Sequence, residues 1–534
     1  MARHFLWSGL LIFVGVTAAT AYLSSLGVDA HHDGILYKPA LDVARGRLLF
    51  SESFTQYGAL TTYLQAAIIK LFGEKLLVLK VMTSVVYGLI AVALYYASSF
   101  IMRWPYGALT VMLWFCAAPF HMWTLVPWSS IYALLMQMVS ICMVLIYMRR
   151  QQEKYLFWAG LTAGFCFWFR QPAGILILST LFFLPIFHNS MGLTWRQSLL
   201  KLRHIVIGFS LSTVLPLLFI WAQGSLRDWW LQSIGIAYQF AMESKSDHAW
   251  DAVSRLISSL FPTQPSTMIY VPHFWLVLPL IAIYFVVTKL WQAFSSQAMT
   301  SKDHALLFIA LSAITSWHQY FPVLCIRHAF WAATIMLPLL VYTFLNVYSH
   351  LQYRTLKYPF LIMLITLTTG VVAHRLDESI RRIKQHRWTL VSPQRLSGIK
   401  VDDRELMDNW HRYGKLIEDI QNHWPNIGMI VSHMDALNLS HFSSENPSPV
   451  YVEWKLLERL YPERPEKIRS YIQKQQPLIE VPYDRKVSVG KYIEMKYGAG
   501  IEYIEVRRGS FRKLGITLAA PRIRASEIDK IIPL

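Results

Sequence analysis

The chain has 534 residues, 54% of them hydrophobic and 14% aromatic, with a mean hydropathy of +0.35. That excludes one ordinary soluble domain, because apolar runs of membrane length recur up to about residue 374 before charge becomes frequent. The net charge of +18 sits mostly in the apolar part, with 23 basic and 11 acidic residues there against 27 and 21 beyond it; anionic lipid head groups explain this balance, and no nucleic-acid motif is present.

In chain order, residues 1–21 imitate a signal peptide, with Arg3, an apolar stretch and Ala19-Thr20-Ala21. The apolar run continues to Leu26, so it reads as an uncleaved first span. Directly after it comes His31-His32-Asp33, which places a carboxylate just outside the lipid. Two amphipathic segments follow, Leu36 to Arg47 and Ala59 to Phe72. The second has 14 residues and reaches only about 21 Å, short of a hydrocarbon core of about 30 Å. It reads as an interfacial helix, and docking against the bundle is compatible with that.

Eleven spans are expected, near 5–26, 76–101, 106–125, 129–148, 155–170, 171–187, 205–223, 273–291, 305–323, 328–347 and 358–374. Alternation places short loops carrying Arg149, Arg150, Lys154, Arg196, Lys201, Arg203, Lys302, Arg354 and Lys357 on one face, the cytoplasmic one by the positive-inside rule. The loops 27–75 and 224–272 and the tail from 375 are then outside. Of the 11 acids before residue 375, only Glu153 and Asp303 fall inside, and none is in mid-span. That argues against a transporter coupled through midplane carboxylates. The loop 224–272 carries Trp229, Trp230, Tyr238, Phe240, Trp250 and Phe261 with Asp228, Glu243, Asp247 and Asp251, which suits an aromatic belt or a lid.

The four cysteines, Cys116, Cys142, Cys166 and Cys325, lie in or at the ends of spans and read as packing residues, not as a disulfide framework or metal site. After Arg375 the pattern is that of a soluble α/β domain. Asp402 or Asp403 caps a helix with Leu406, Trp410, Tyr413, Ile417, Ile420 and Trp424 on one face. Strands are expected at 428–431, 478–481 and 501–506, and helices at 452–461 and 466–475. Asn438-Leu439-Ser440 matches a glycosylation sequon, and no phosphate loop or nucleophile elbow stands out.

The segments 31–50, 54–73 and 327–338 carry a resemblance. A first span, an outer-loop acid, two interface helices and many further spans resemble the GT-C glycosyltransferases, which include protein O-mannosyltransferases and the lipid A aminoarabinose transferase. The resemblance implies a polytopic α-helical GT-C-like domain over 1–374 and an extracytoplasmic α/β domain over 375–534. It further implies a bacterial cell-membrane enzyme that moves a sugar from a polyprenyl-phosphate donor to an extracytoplasmic glycan, lipid or protein, with inversion. The family's loop acid maps onto Asp33. Where many relatives have Asp-Glu, this chain has His32-Asp33 followed by Gly34, so no adjacent second carboxylate supports a divalent metal and no cofactor is expected.

Such a transfer needs a base for the acceptor hydroxyl and cations for the departing phosphate. The expected base is Asp33, with His32 supporting it and His31 structural. Arg170, beside Gln171-Pro172 at an outer turn, and Arg327 with His328 are the expected phosphate ligands, by the fork geometry of guanidinium. Snorkelling to lipid head groups is the competing role for Arg170 and also for Lys80. Gln56 and Tyr57 are candidates for binding sugar hydroxyls or for starting a helix. Competing functions are a ligase or polymerase acting on a diphosphate-linked glycan, a lipid or glycan flippase, and a non-catalytic assembly factor.

Overall fold

The structure is a computed structural model, and it describes residues 2–187, 193–243, 272–295, 299–320, 326–431, 437 and 459–531. Cys325, Trp250, Phe261, Asp247, Asp251 and the Asn438-Leu439-Ser440 triplet lie outside the described residues, as does most of the expected helix at 452–461.

The described helices begin with α1 (Ala2–Ser24), α2 (Ala30–Ala44), α3 (Ala59–Phe72), α4 (Leu76–Ser98), α5 (Trp104–Ala117), α6 (Ser129–Arg150), α7 (Lys154–Phe169), α8 (Gln171–Leu181) and α9 (Trp195–Ala222). After α9, α10 (Leu226–Trp230) runs through a π turn (Leu231–Gly235) into α11 (Ile236–Glu243). The bundle continues with α12 (Pro272–Phe294), α13 (Ser301–Ser316), α14 (Ile326–Ala333), α15 (Leu337–His350) and α16 (Arg354–Gln385). Helix covers at least part of each of the eleven expected spans, although that at 106–125 stops being α-helical at Ala117, and only five described helices are long and apolar enough to cross a membrane by themselves: Leu6–Ser24, Leu76–Ser98, Ser129–Arg150, Trp195–Ala222 and Arg354–Gln385. The pair α14–α15 makes a sixth if its 61° bend is counted as one broken span, and Trp104–Ala117, Gln171–Phe187 and Leu278–Phe294 are shorter apolar helices.

Two packing features locate the bundle. Helices α7 and α9 meet through Gly160 and Gly164 on one side and Gly208 and Ser212 on the other. A Cβ at Gly160 would run into the Ile205 carbonyl and one at Gly208 into the Phe157 carbonyl, so small residues set the approach, as in membrane helix pairs generally. Helix α3 buries polar and apolar side chains together, Ile68 among them. Thr61, Thr62, Gln65, Ala66 and Ile69 are buried, Gln65 Nε2 donates to the Pro127 carbonyl at 2.9 Å, and Ala67, Leu71 and Phe72 face outward. An outward apolar side on a 14-residue helix suits a lipid-facing surface.

Helix α2 starts earlier than its apolar pattern, at Ala30, so His31-His32-Asp33 lies in its first turn and not in a linker before it. The reason is local: Asp29 takes the N-cap position and its side chain accepts from the His32 amide.

Helix α16 passes residue 374 without a break and ends at Gln385. Beyond it, β1 (Trp388–Thr389) pairs antiparallel with β2 (Lys400–Val401). A four-stranded sheet has the order β3-β4-β6-β5, from β3 (Met429–Val431), β4 (Leu478–Pro482), β5 (Tyr503–Phe511) and β6 (Ile516–Pro521). The β3–β4 pair is parallel and the others antiparallel. Against it lie α17 (Arg404–His423), α18 (Arg464–Gln475), α19 (Val489–Tyr497) and α20 (Arg522–Ile531), with Asp403 capping α17. Leu390, Ile399, Tyr413 and Ile417 share one buried core with Tyr37 and Leu41 of α2, Ile69 of α3 and Leu79 of α4. Arg45 and Arg395 both pair with Glu74, at 2.5 Å and 3.3 Å, across the same contact.

Candidate functional site

The stretch between α1 and α2 turns sharply at Gly27, whose φ of +85° favours glycine, and delivers Asp29 to the start of α2. Asp29 makes a two-point contact with His32: Oδ1 accepts from the backbone amide at 2.9 Å and Oδ2 lies 2.7 Å from Nδ1. A guanidinium nitrogen of Arg327, near the start of α14, lies 3.7 Å from the same Oδ2. Burial works to raise the Asp29 carboxyl, but the His32 bonds and the Arg327 charge outweigh it and hold it at about 2. This group is half open, with side-chain exposures of 23% for Asp29, 33% for His32 and 19% for Arg327.

Asp33, the acid singled out by the family resemblance, sits elsewhere. Its side chain and that of Lys80 on α4 are both fully buried and paired at 2.9 Å. Its Oδ2 also accepts from the Asp29 amide at 2.9 Å, and Lys80 donates to the Gly27 carbonyl at 3.1 Å. Its Oδ1 is buried with no hydrogen-bond partner among the described residues. Burial pushes the Asp33 carboxyl up, against the pull of Lys80. The pair thus grips the backbone on both sides of the turn that presents Asp29. Lys80 faces inward to this pair and does not snorkel.

Tryptophans that the sequence reading did not single out organise the remaining residues. The Arg327 guanidinium lies 5.2 Å from the Trp123 ring and 5.8 Å from the Trp128 ring. Trp128 also contacts His32 at 4.9 Å, Tyr57 at 5.9 Å and Trp331 at 5.9 Å between ring centres. Trp331 receives the Arg170 guanidinium at 5.7 Å and the His328 ring at 5.0 Å. Arg170 forms the junction of α7 and α8 and donates to Ser130 Oγ on α6. Burial pushes the Tyr57 phenol up to about 12, opposed by Gln56 and the two arginines. His32, Arg170, Arg327, His328, Gln56 and Tyr57 therefore gather at one end of the bundle. Asp33 lies beneath them and Asp29 among them. The signal for Asp29 is present in the sequence: an Asp immediately before a helical turn is a capping residue.

Two cavities flank the group. One of about 20 Å³ is bounded by Trp123, Trp128, Arg327 and Trp331. The other, of about 300 Å³, is almost wholly apolar and lies between α3, α7 and α9, lined by Leu60, Tyr63, Phe165, Trp168 and Phe219 among others. Two of its lining residues lead to the site: Ala59 follows Gly58, the N-cap of α3, which abuts the Trp168 carbonyl, and Trp168 lies two residues before Arg170. Among the described residues no group of three His, Cys, Asp or Glu side chains is placed to hold a metal ion.

No family model and no curated protein matches the sequence. Solved structures do match. ArnT from Cupriavidus metallidurans, bound to undecaprenyl phosphate, is similar with a TM-score of 0.55 at 11% identity, covering 97% of both chains. The Archaeoglobus fulgidus oligosaccharyltransferase in its apo form is similar with a TM-score of 0.52 at 11% identity, covering 92% of this chain and 70% of that one. Both belong to the GT-C superfamily.

Proposed function

We propose that this chain, which has the GT-C fold, is an integral-membrane glycosyltransferase that moves a sugar from a polyprenyl-phosphate donor to an acceptor hydroxyl. The observation that carries this reading is the Asp29–His32 pair facing Arg327 across 3.7 Å, half open at one end of the bundle.

The chemistry divides among the residues as follows. An acceptor oxygen attacks the anomeric carbon, the bond from that carbon to the phosphate oxygen breaks, and the electron pair leaves with the phosphate. A carboxylate held at about 2 stays ionised but is a weak base. With its oxygen on Nδ1, Asp29 instead holds the imidazole in the tautomer that leaves Nε2 free to take the acceptor's proton, and it stabilises the imidazolium that forms. Arg327 and Arg170, each fixed against an indole face, meet the charge that grows on the phosphate. Gln56, Tyr57 and His328 border the space for sugar and acceptor. The apolar cavity beside Gly58 takes the first part of the polyprenyl chain. Asp33 and Lys80 hold the turn, which assigns the base to His32 with Asp29 and not to Asp33. The site end is extracytoplasmic in a bacterial cell membrane, the N-terminus is cytoplasmic, and residues 375–534 form an accessory domain on the site's side.

The test is to incubate the purified protein in lipid nanodiscs with a panel of polyprenyl-phosphate sugars and follow donor cleavage. Cleavage of one donor that is lost in His32→Gln and survives in Asp33→Asn supports the assignment. Wild-type rates in His32→Gln would overturn the base, and no cleavage of any donor would overturn the transferase reading.

A further inference from the structure

The last turn of α16 contains a buried arginine that the transfer chemistry does not use. Arg382 is 6% exposed, and among the described residues its hydrogen bonds go to backbone carbonyls: Nη1 to Phe120 and Trp123 at 2.5 Å each, and Nη2 to Leu26 at 2.5 Å. None goes to a carboxylate among the described residues. A guanidinium removed from water and satisfied by carbonyls alone is an expensive choice where only packing is required.

The carbonyls it collects belong to two segments. Leu26 precedes Gly27 and Asp29. Phe120 and Trp123 belong to the 119–128 stretch that supplies both indoles under Arg327. The same turn is held by the β1–β2 region, since Gly27 donates to the Lys400 carbonyl at 2.8 Å and Lys400 to the Ser25 carbonyl at 2.7 Å. Gly27 itself leaves no room: a Cβ there would strike Thr124 Oγ1, with Arg382 Nη2 at 3.6 Å.

We infer that Arg382 is a positioning residue, which sets the distance between the acid-bearing turn and the indole-bearing segment and so between Asp29–His32 and the donor held at Arg327. This rests on the transferase reading above. Only a planar fork with several donors spans both segments; an ammonium is a point donor. Displacing a catalytic pair by about 1 Å costs on the order of 100-fold in rate.

Three measurements test it. First, hydrogen–deuterium exchange of the full-length protein in nanodiscs is compared between wild type and Arg382→Lys. Faster exchange is expected in both 25–33 and 119–128, with α4 unchanged. Second, Arg382→Lys is expected to lower kcat by roughly 10–100-fold while donor KM stays within about 3-fold. Third, in the His32→Gln background Arg382→Lys is expected to add less than about 2-fold, because the displaced base is already gone. If Arg382→Lys does not fold, Gly27→Ala disturbs the same junction from the other side and should give the same kinetic pattern. Unchanged exchange in either segment, unchanged kcat, or full additivity with His32→Gln would each overturn the inference. A wild-type protein that cleaves no donor removes the transferase reading and this role with it, whereas an active wild type with unaltered Arg382→Lys kinetics removes this role alone.

Discussion

Two ion pairs at the start of α2 use the same chemistry and differ in access to solvent. Asp33 and Lys80 are sealed, both fully buried at 2.9 Å, whereas Asp29 faces His32 and Arg327 with about a quarter of its side chain exposed. The acids are four positions apart, but Asp29 is the extended N-cap residue outside the helix and Asp33 lies within its first turn, so they do not share one face as i and i+4 positions inside a helix do. The lesson is that an acid's role here follows from what seals it. The sealed acid fixes backbone, and the half-open one can meet a substrate.

The largest expected effect breaks the sealed pair. Lys80→Met leaves the Asp33 carboxyl buried without its cation and should cost about 3–5 kcal/mol of stability. Adding Asp33→Asn should restore most of it, because the amide oxygen can still accept from the Asp29 N–H. Thermal unfolding in detergent measures both. If the double variant is stable but transfers no sugar while His32→Gln still does, the roles of the two acids are reversed.

Next comes the half-open pair. His32→Gln should cost roughly 100- to 1,000-fold in kcat, the usual contribution of a general base, with a stability change below about 1 kcal/mol. A loss of stability as large as that of Lys80→Met would make His32 structural. Arg327→Gln should follow, raising donor KM by about 10-fold or more while leaving stability near wild type, since it removes a charge-assisted contact to phosphate. Competition by undecaprenyl phosphate alone reads this without an acceptor, and an unchanged inhibition constant would count against phosphate contact.

Much of this arrangement was legible in the residues. Apolar periodicity located the helices, and α3 came out with the expected ends, Ala59 and Phe72. In the tail, the Asp403 cap, the strands at 429–431 and 478–482 and the helix at 464–475 lie where the pattern placed them. What resisted was orientation. The apolar residues of α3 divide between two sides: Ile68 and Ile69 are buried with Thr61, Thr62 and Gln65, whereas Ala67, Leu71 and Phe72 face outward, as suits a helix whose expected solvent is lipid and not water. Placement just beyond the first span and the family resemblance both point to Asp33, yet sequence does not show that Lys80, 47 positions later, is aimed at it. Trp123, Trp128 and Trp331 could be read only as belt or core residues, since cation–π pairing joins distant segments. Strand β6 and the helices α19 and α20 were not anticipated, being short elements stabilised mainly by the sheet they complete.

The smallest effect is also the sharpest test of the contrast, because the two acids should respond to pH with opposite signs. Asp29 has its folded value lowered from 3.8 to about 2, so its contribution to stability is present above about 3.8 and lost as pH falls through 2. By linkage this is on the order of 2 kcal/mol. Asp33 has its folded value raised by burial, so it penalises the folded state at neutral pH, and the penalty is relieved as pH falls through that raised value toward 3.8. The two slopes oppose one another in the wild type. Asp29→Asn should remove the stabilising term and expose the other, giving a protein weaker at pH 7 whose relative stability improves on acidification. Asp33→Asn should leave the Asp29 slope alone, so that stability falls on acidification, and it starts from a lower stability at pH 7 because Lys80 is left buried without its anion. Unfolding free energies measured from pH 7 down to pH 2 for both variants decide it. Parallel slopes would mean that the two carboxyl groups share one environment, and the distinction between a sealed and an open acid would fail.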